Sequence, residues 1–285
     1  MTRRQHTDPR GDGAVRTVDV LIPTRDRPAG LAVTLTSLCA QDFSDFRVVI
    51  SDQSDEPVVG HSGEVQAAVR VLEAHGQPVE FHHHLPRRGM AEQRDFLLSQ
   101  ARAPYALFID DDLILEPYVL ERMLTAIREE QCGFVGSAVT GLSYIDDLRP
   151  EEEAIEFWDG PVQPEVVRPG TREWERWRLH NAANLYHVQQ RLGLTPERQR
   201  TYHVAWVGAC VMYDTQKLRA TGGFSFWREL PAAHSGEDVL AQLRVMAQYG
   251  GCGIIPSGVY HQELPTTVVD RSVDAPRYLT ADLPG

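Results

Sequence analysis

A mixed α/β fold, with a mostly parallel sheet flanked by helices, is what this sequence predicts, and three observations carry the prediction. Short apolar runs alternate with amphipathic helical stretches from residue 17 onward. The apolar runs stop at clusters of turn and charged residues, where a chain leaves the edge of a parallel sheet. One run, Tyr105-Ala106-Leu107-Phe108-Ile109, is followed at once by three carboxylates, Asp110, Asp111 and Asp112. A chain of 285 residues with 42% hydrophobic and 24% charged content can bury the core of a single large domain.

The elements follow in order. Residues 1–16 are polar and basic without an apolar stretch, which predicts a flexible tail and no secretion signal. Residues 17–22 are a strand that ends in Pro23-Thr24-Arg25-Asp26-Arg27-Pro28, and a helix with Leu31, Leu35 and Leu38 on one face comes next. A second strand, 46–51, closes in Asp52-Gln53-Ser54-Asp55-Glu56-Pro57. Val65, Ala68, Val69 and Leu72 have the spacing of a helix, with Gly76 just past its end. Residues 79–85 are a third strand, Gly89 opens a helix through Ala101, and the strand before the acids precedes a helix over 118–130. Residues 132–139 are one more strand. Repeated strand–helix units give right-handed crossovers and helices on both faces.

The regularity stops over 140–202, an irregular, partly helical insertion that holds Glu151, Glu152, Glu153, Trp158, Trp174 and Trp177. The three glutamates read as a solvated face, and the tryptophans suit either packing or stacking on sugar rings. From 203 the pattern resumes, with His203–Met212 as one strand bent at Gly208 and a helix over 237–248 with Leu240, Leu243 and Ala247 on one face.

Composition excludes several classes. A net charge of −12 argues against a broad nucleic-acid or anionic-membrane surface. No apolar run approaches about 20 residues, so no transmembrane segment is expected. Cys39, Cys132, Cys210 and Cys252 form no CxxC pair, which points to free thiols, a cytoplasmic location and no structural zinc. His82-His83-His84 resembles a metal cluster, but strand alternation sends His83 to the face opposite its neighbours.

The loops after the strands carry the chemistry. In a parallel sheet the segments 23–28, 52–56, 87–89 and 110–112 converge on one edge. Arginines there suit a diphosphate, and Asp52 suits a base N–H or ribose hydroxyl. Three adjacent carboxylates repel one another, and hard oxygen donors favour Mg²⁺ or Mn²⁺ as the cation that holds them. The chain has neither GxxxxGK[ST] nor GxGxxG, so a P-loop and a dinucleotide fold both lack their signature.

The chain resembles the family-2 glycosyltransferases of GT-A fold. The resemblance runs through Val20-Leu21-Ile22-Pro23-Thr24-Arg25-Asp26-Arg27, Val48-Val49-Ile50-Ser51-Asp52-Gln53-Ser54, Gly89 with Ala91 and Arg94-Asp95, and Phe108-Ile109-Asp110-Asp111-Asp112. It continues in Thr221-Gly222-Gly223-Phe224, Gly236-Glu237-Asp238 with Arg244, and Pro256 with His261. It departs at Asp95, where the family usually has Asn, and at Leu240, where a further acid is frequent.

The resemblance implies metal-dependent transfer of a sugar from a nucleoside-diphosphate sugar to an acceptor hydroxyl, by direct displacement with inversion. Residues 17–139 are then the nucleotide-sugar half, 140–202 an acceptor-side insertion, and 203–285 the acceptor-binding and catalytic half. It makes Asp238 the base and Glu237 a partner that positions the acceptor. Pro23, Thr24, Arg25, Asp52, Ser54, Gly89, Arg94, Asp110 and Asp111 become the nucleotide- and sugar-binding set. Asp110, Asp112 and His261 become ligands of Mn²⁺ or Mg²⁺, with His261 equally suited to the diphosphate. The acceptor (polysaccharide, lipid-linked or small molecule) is left open, and a lipid-linked one would require peripheral contact with the membrane. Two alternatives stand beside this. A phosphatase of the haloacid dehalogenase type also uses acids after a strand, but it expects Thr or Val where Ile114 stands. A non-catalytic nucleotide-sugar-binding protein of the same fold would be expected to lack the Glu237-Asp238 pair.

Overall fold

Alternation along the central strands decides which side chains each face of the sheet receives. The protein, seen as a computed structural model, is described over residues 15–57, 59–266 and 270–279. Its strands and helices are β1 (Val18–Thr24), α1 (Pro28–Cys39), β2 (Phe46–Asp52), α2 (Gly63–Ala74), β3 (Val79–His83), α3 (Met90–Gln100), β4 (Tyr105–Ile109), β5 (Leu113–Leu115) and α4 (Val119–Glu130). They continue with β6 (Phe134–Gly136), α5 (Asn184–Leu192), β7 (Arg200–Tyr202), β8 (Cys210–Asp214), α6 (Thr215–Ala220), α7 (Glu237–Tyr249), β9 (Gly251–Ile255), β10 (Val259–His261) and α8 (Ala275–Tyr278).

One sheet runs in the order β3-β2-β1-β4-β8-β6-β9-β7, and β10 pairs with β5 in a small second sheet. β1 pairs in parallel with both β2 and β4, whereas β8 is antiparallel to β4 and β6. The sheet is therefore mostly parallel, as expected. Val20, Ile22, Val48, Ile50, Leu107 and Ile109 point to one face, where α1, α2 and α4 cover them with Leu31, Leu35, Val65, Leu72, Leu120 and Met123. Leu21, Val49, Ala106 and Phe108 point to the other, beneath Leu97 and Leu98 of α3 and Leu240 and Leu243 of α7. Gly76 follows α2 at φ +87°, a left-handed conformation that glycine adopts without a Cβ penalty.

Several elements differ from expectation. Residues 203–209 do not extend β8 into one long strand. The buried amide of Gln242 on α7 takes both Val207 backbone groups, accepting from the N–H at 2.7 Å and donating to the carbonyl at 2.8 Å. With its polar groups met by a side chain, that segment needs no neighbouring strand. For the same reason α7 is not apolar on one face only, since Gln242 is wholly buried while Ala247 is half-exposed. β5 and β7, three residues each, are not predicted because so short a run carries little periodicity, and the strand-like run before His261 divides into β9 and β10.

Part of the expected tail, residues 1–14, lies outside the described residues, yet Arg16 is buried and donates to the Gly76 carbonyl at 2.9 Å. The insertion is more knitted than a solvated face implies. Glu152 accepts from Asn181 and Asn184, and buried Glu153 pairs with Arg191. Its aromatic residues pack. Trp174 and Trp177 lie against Trp206, with Trp174 at 4.6 Å between ring centroids, and Trp158 stacks on His203 at 3.7 Å. The histidine run divides as alternation requires: His82 and His84 flank Phe96, while His83 meets the Ser54 carbonyl. All four cysteines are free thiols.

An ion pair inside the sheet ties three strands together. Arg47 of β2 donates twice to Asp19 of β1, each at 2.9 Å, and once to Glu80 of β3 at 2.8 Å. Asp19 also accepts from the N–H groups of Arg102 and Ala103, which fixes the entry to β4. Removing Asp19 leaves the buried Arg47 guanidinium with Glu80 as its one carboxylate partner among the described residues and frees the Arg102 and Ala103 N–H groups. Asp19→Ala is therefore expected to lower stability by about 3 kcal/mol, read as a drop in urea midpoint at unchanged slope; a change below about 1 kcal/mol would contradict this role.

Candidate active site

Parallel pairing sets the carboxyl ends of β1, β2 and β4 on one edge, and the loops there open onto a cavity of about 850 Å³. Pro23, Thr24, Arg25, Arg27, Gln53, Gly89, Arg94 and Asp110-Asp111-Asp112 line it. So do Glu237 and Asp238, at the start of α7, together with residues 232–236 and His261. The four loops expected to converge do so. Asp52 and Ser54 are not on the wall. Asp52 is buried beneath it, where its carboxylate accepts from the Ser54 N–H at 2.8 Å and hydroxyl at 2.6 Å, and the side chain between them, Gln53, reaches the cavity.

The three acids separate into two groups, each neutralised by an arginine. Arg27 Nη1 donates to Asp112 at 2.8 Å and to Asp111 at 3.2 Å, and Asp111 also accepts from the Thr24 hydroxyl at 2.6 Å. Arg94, on α3, donates to Asp110 at 2.9 Å through Nη2 and to Glu237 at 3.0 Å through Nε. The expected metal trio is therefore not assembled. Among the described residues no three histidines, cysteines or acids gather as ligands, and Asp110 is paired with Arg94.

His261 reaches Asp112 through strand register. β10 pairs antiparallel with β5, opposing His261 to Leu113, and Gln262 N–H donates to the Asp112 carbonyl at 2.8 Å. His261 Nε2 lies 3.6 Å from the Asp112 carboxylate, while Nδ1 accepts the Glu263 N–H at 2.6 Å. With Nδ1 accepting, a neutral ring carries its proton on Nε2, the tautomer that donates to an anion and does not ligate an ion. Asp112 alone fits Mg²⁺ or Mn²⁺ in the manner of sites that use one carboxylate and complete the shell with phosphate and water.

Burial and neighbouring charge shape the acids. Burial pushes the Glu237 carboxyl up to about 7, helped by Asp238 and opposed by Arg94. Asp110 is raised too, by burial against the pull of Arg94, with Asp112, Asp238 and Asp111 adding to the rise. Against the cost of its own burial, Arg94 is held well above the usual guanidinium range by Asp110, Glu237 and Asp238. Asp238 sits beside Gly208, where a Cβ would lie 3.9 Å from its Oδ2.

Arg27, Gln53 and His234 also line the cavity and are not among the site residues expected from sequence. Arg27 was visible as one of two arginines after β1, but nothing in the sequence told which would face the acids. His234 is a lone histidine between alanines and serine and gave no signal.

A mostly parallel α/β sheet with acids at the end of its central strand, faced by a second acid pair at a helix start, defines a fold of GT-A type. The chain belongs to glycosyl transferase family 2, whose sequence profile matches residues 19–192. It is similar to an uncharacterized glycosyltransferase of Haemophilus influenzae, 28% identical over 113 residues, which cover 39% of this chain and 35% of that protein. Among solved structures it resembles S. aureus TarS 1–349 in complex with UDP-GlcNAc, at TM-score 0.53 and 15% identity over 88% of this chain and 60% of that one. It also resembles the mannosyltransferase PcManGT from Pyrobaculum calidifontis in complex with GDP-Man and Mn²⁺, at TM-score 0.54 and 15% identity over 90% and 59%. The chain thus spans about a third of the matched relative and about three fifths of these structures.

The raised Glu237 carboxyl makes a signed prediction. Its ordinary value is 4.5, so between that and about 7 the folded chain holds a proton that the unfolded chain has released. The contribution is full below pH 4.5 and is lost as pH rises through about 7. Urea unfolding from about pH 5 to about pH 8 should show stability falling relative to Glu237→Gln. Parallel curves for the two proteins would contradict the buried environment assigned to this acid.

Proposed function

We propose that this chain transfers a sugar from a nucleoside-diphosphate sugar to an acceptor hydroxyl. The observation that carries the reading is the Arg94 bridge. One guanidinium holds Asp110, in the loop after β4, and Glu237, at the start of α7, across a single cavity. Donor and acceptor chemistry would then share one site, as direct displacement requires.

In this reading Pro23, Thr24, Arg25 and Gln53 receive the nucleoside. Arg27, Arg94 and the Nε2–H of His261 supply donors to the diphosphate. Asp112 would hold Mg²⁺ or Mn²⁺, displacing Arg27 from its carboxylate, and the ion when bound neutralises the departing diphosphate as a Lewis acid. Asp238, half-exposed at the cavity, takes the proton of the acceptor hydroxyl. Glu237 is occupied by Arg94 and positions its neighbour. A single base facing the leaving group gives inversion at the anomeric carbon.

Family membership and the acid pair of α7 favour this over the phosphatase and over a non-catalytic binder. No helix among the described residues is long and apolar enough to cross a membrane; a cytoplasmic location, with any lipid-borne acceptor met at the membrane surface, goes with the reading.

Calorimetric titration of UDP, GDP, dTDP, CDP and ADP, each with Mn²⁺ and with EDTA, tests it. One nucleotide is expected to bind with metal, and Asp112→Asn to remove the metal-dependent part. Asp238→Asn should keep that binding within about twofold and lower kcat by about 10²–10⁴-fold. Absence of binding by every nucleotide would sink the proposal, and undiminished transfer by Asp238→Asn would overturn the choice of base.

A further inference from the structure

The wall of the cavity beside α7, residues 231–236, has no regular structure of its own, yet Ala232, Ala233, His234, Ser235 and Gly236 all face the cavity. Two contacts fix its far end: Ser235 N–H donates to the Val273 carbonyl at 2.9 Å, and Ala275 N–H donates to the Ser235 carbonyl at 2.8 Å. Its middle is held by hydrogen bonds of His234.

That histidine is 3% exposed, and both ring nitrogens are engaged. Nδ1 lies 2.8 Å from the Pro231 carbonyl, which can only accept, so Nδ1 carries the proton. Nε2 lies 3.1 Å from the backbone N–H of Ala91, which can only donate, so Nε2 is the acceptor. Ala91 is the second residue of α3, and its N–H is one of the groups that a helix start leaves without an internal partner. The imidazole therefore caps a helix far away in sequence. The approach is close enough that a Cβ on Gly89, the residue before α3 with φ +104°, would sit 2.4 Å from His234 Cε1 and 2.6 Å from the Ala232 carbonyl oxygen.

The same helix carries Arg94, one turn further on, and Arg94 holds Glu237. A closed circuit results. α3 grips the wall through Ala91 and His234 and grips the start of α7 through Arg94 and Glu237, with only residues 235 and 236 between the two grips. Glu237 and Asp238 cannot shift relative to the loop after β4 unless one grip opens.

We infer that His234 is a positioning residue for transfer: it sets the Glu237-Asp238 carboxylates against the donor site by accepting the Ala91 N–H. It makes no contact with donor or acceptor in this role. The inference rests on the transferase reading for its kinetic consequence but not for the anchor itself.

Two variants and two readouts test it. Amide hydrogen exchange reports the anchor regardless of activity: exchange at the start of α3 and over 231–236 should accelerate at least about tenfold in His234→Ala. It should stay near wild type in His234→Gln, whose Oε1 can accept the same N–H without an imidazole. Kinetics with the nucleotide sugar selected by binding should show kcat down about 10–100-fold in His234→Ala, with donor KM within about twofold and kcat largely restored in His234→Gln. If His234→Ala fails to fold, His234→Gln against His234→Leu at matched thermal midpoint makes the comparison. Unchanged exchange in His234→Ala, or a glutamine variant no better than alanine or leucine, would overturn the anchor. Accelerated exchange with unchanged kcat would overturn the positioning role. Wild-type protein that neither binds nucleotide nor transfers would instead remove the transferase reading and confine His234 to the anchor that exchange measures.

Discussion

Carboxylates crowded at one cavity are the constraint on which the rest of this structure depends. Asp111, Asp112 and Glu237 are buried, and Asp110 adjoins them. Two like charges about 5 Å apart in a protein environment repel by roughly 3 kcal/mol each, so such a group cannot assemble without counter-charge. Arg27 and Arg94 supply it, each bridging two of the acids. Those guanidinium groups tie together the loops after β1 and β4, α3 and the start of α7. Arg94 uses its fork for this, reaching Glu237 through Nε and Asp110 through Nη2, whereas Arg27 reaches both of its acids through Nη1.

The two arginines divide the site by task. Arg27 comes from the loop after β1 and neutralises the acids nearest His261, the place a diphosphate and its ion would occupy. Arg94 comes from the opposite helix and couples the loop after β4 to the acids of α7. In the proposed reading a divalent cation would replace Arg27 at Asp112 and leave the guanidinium to the diphosphate, whereas Arg94, buried between its partners, would stay. One half of the cluster is thus exchangeable and the other fixed, which is the division that donor binding and acceptor activation each need.

Much of this was legible in the sequence where chemistry is local. The strand into Asp110-Asp111-Asp112, the helix of Leu31, Leu35 and Leu38, the glycine after α2 and the acid pair opening α7 each announce themselves by spacing or by residue type. The convergence of four loops followed from parallel pairing alone. Contacts between distant segments were not legible. Three adjacent acids imply a cation, but nothing local says that Arg27 and Arg94 provide it, or that Asp110 and Asp112 pair with different ones. Gln242 replaces a strand partner for Val207, so a run that reads as strand is not one. Asp52 reads as a ligand by position, yet its carboxylate is spent on Ser54. His234 carries no pattern at all, because its partner, Ala91, is a backbone group. Apart from the local turn of Asp52 onto Ser54, the determinant is a long-range hydrogen bond that periodicity cannot register.

The central claim, one base and one leaving group on opposite sides of a single sugar, is tested most directly by the stereochemistry of the product. Proton NMR of the reaction in progress, with the donor that the nucleotide titration selects, distinguishes the anomers by their coupling and chemical shift. The account predicts that the first product formed has the anomeric configuration opposite to that of the donor. Retention of the donor's configuration would contradict it, because a second nucleophile or a front-face route would then be needed.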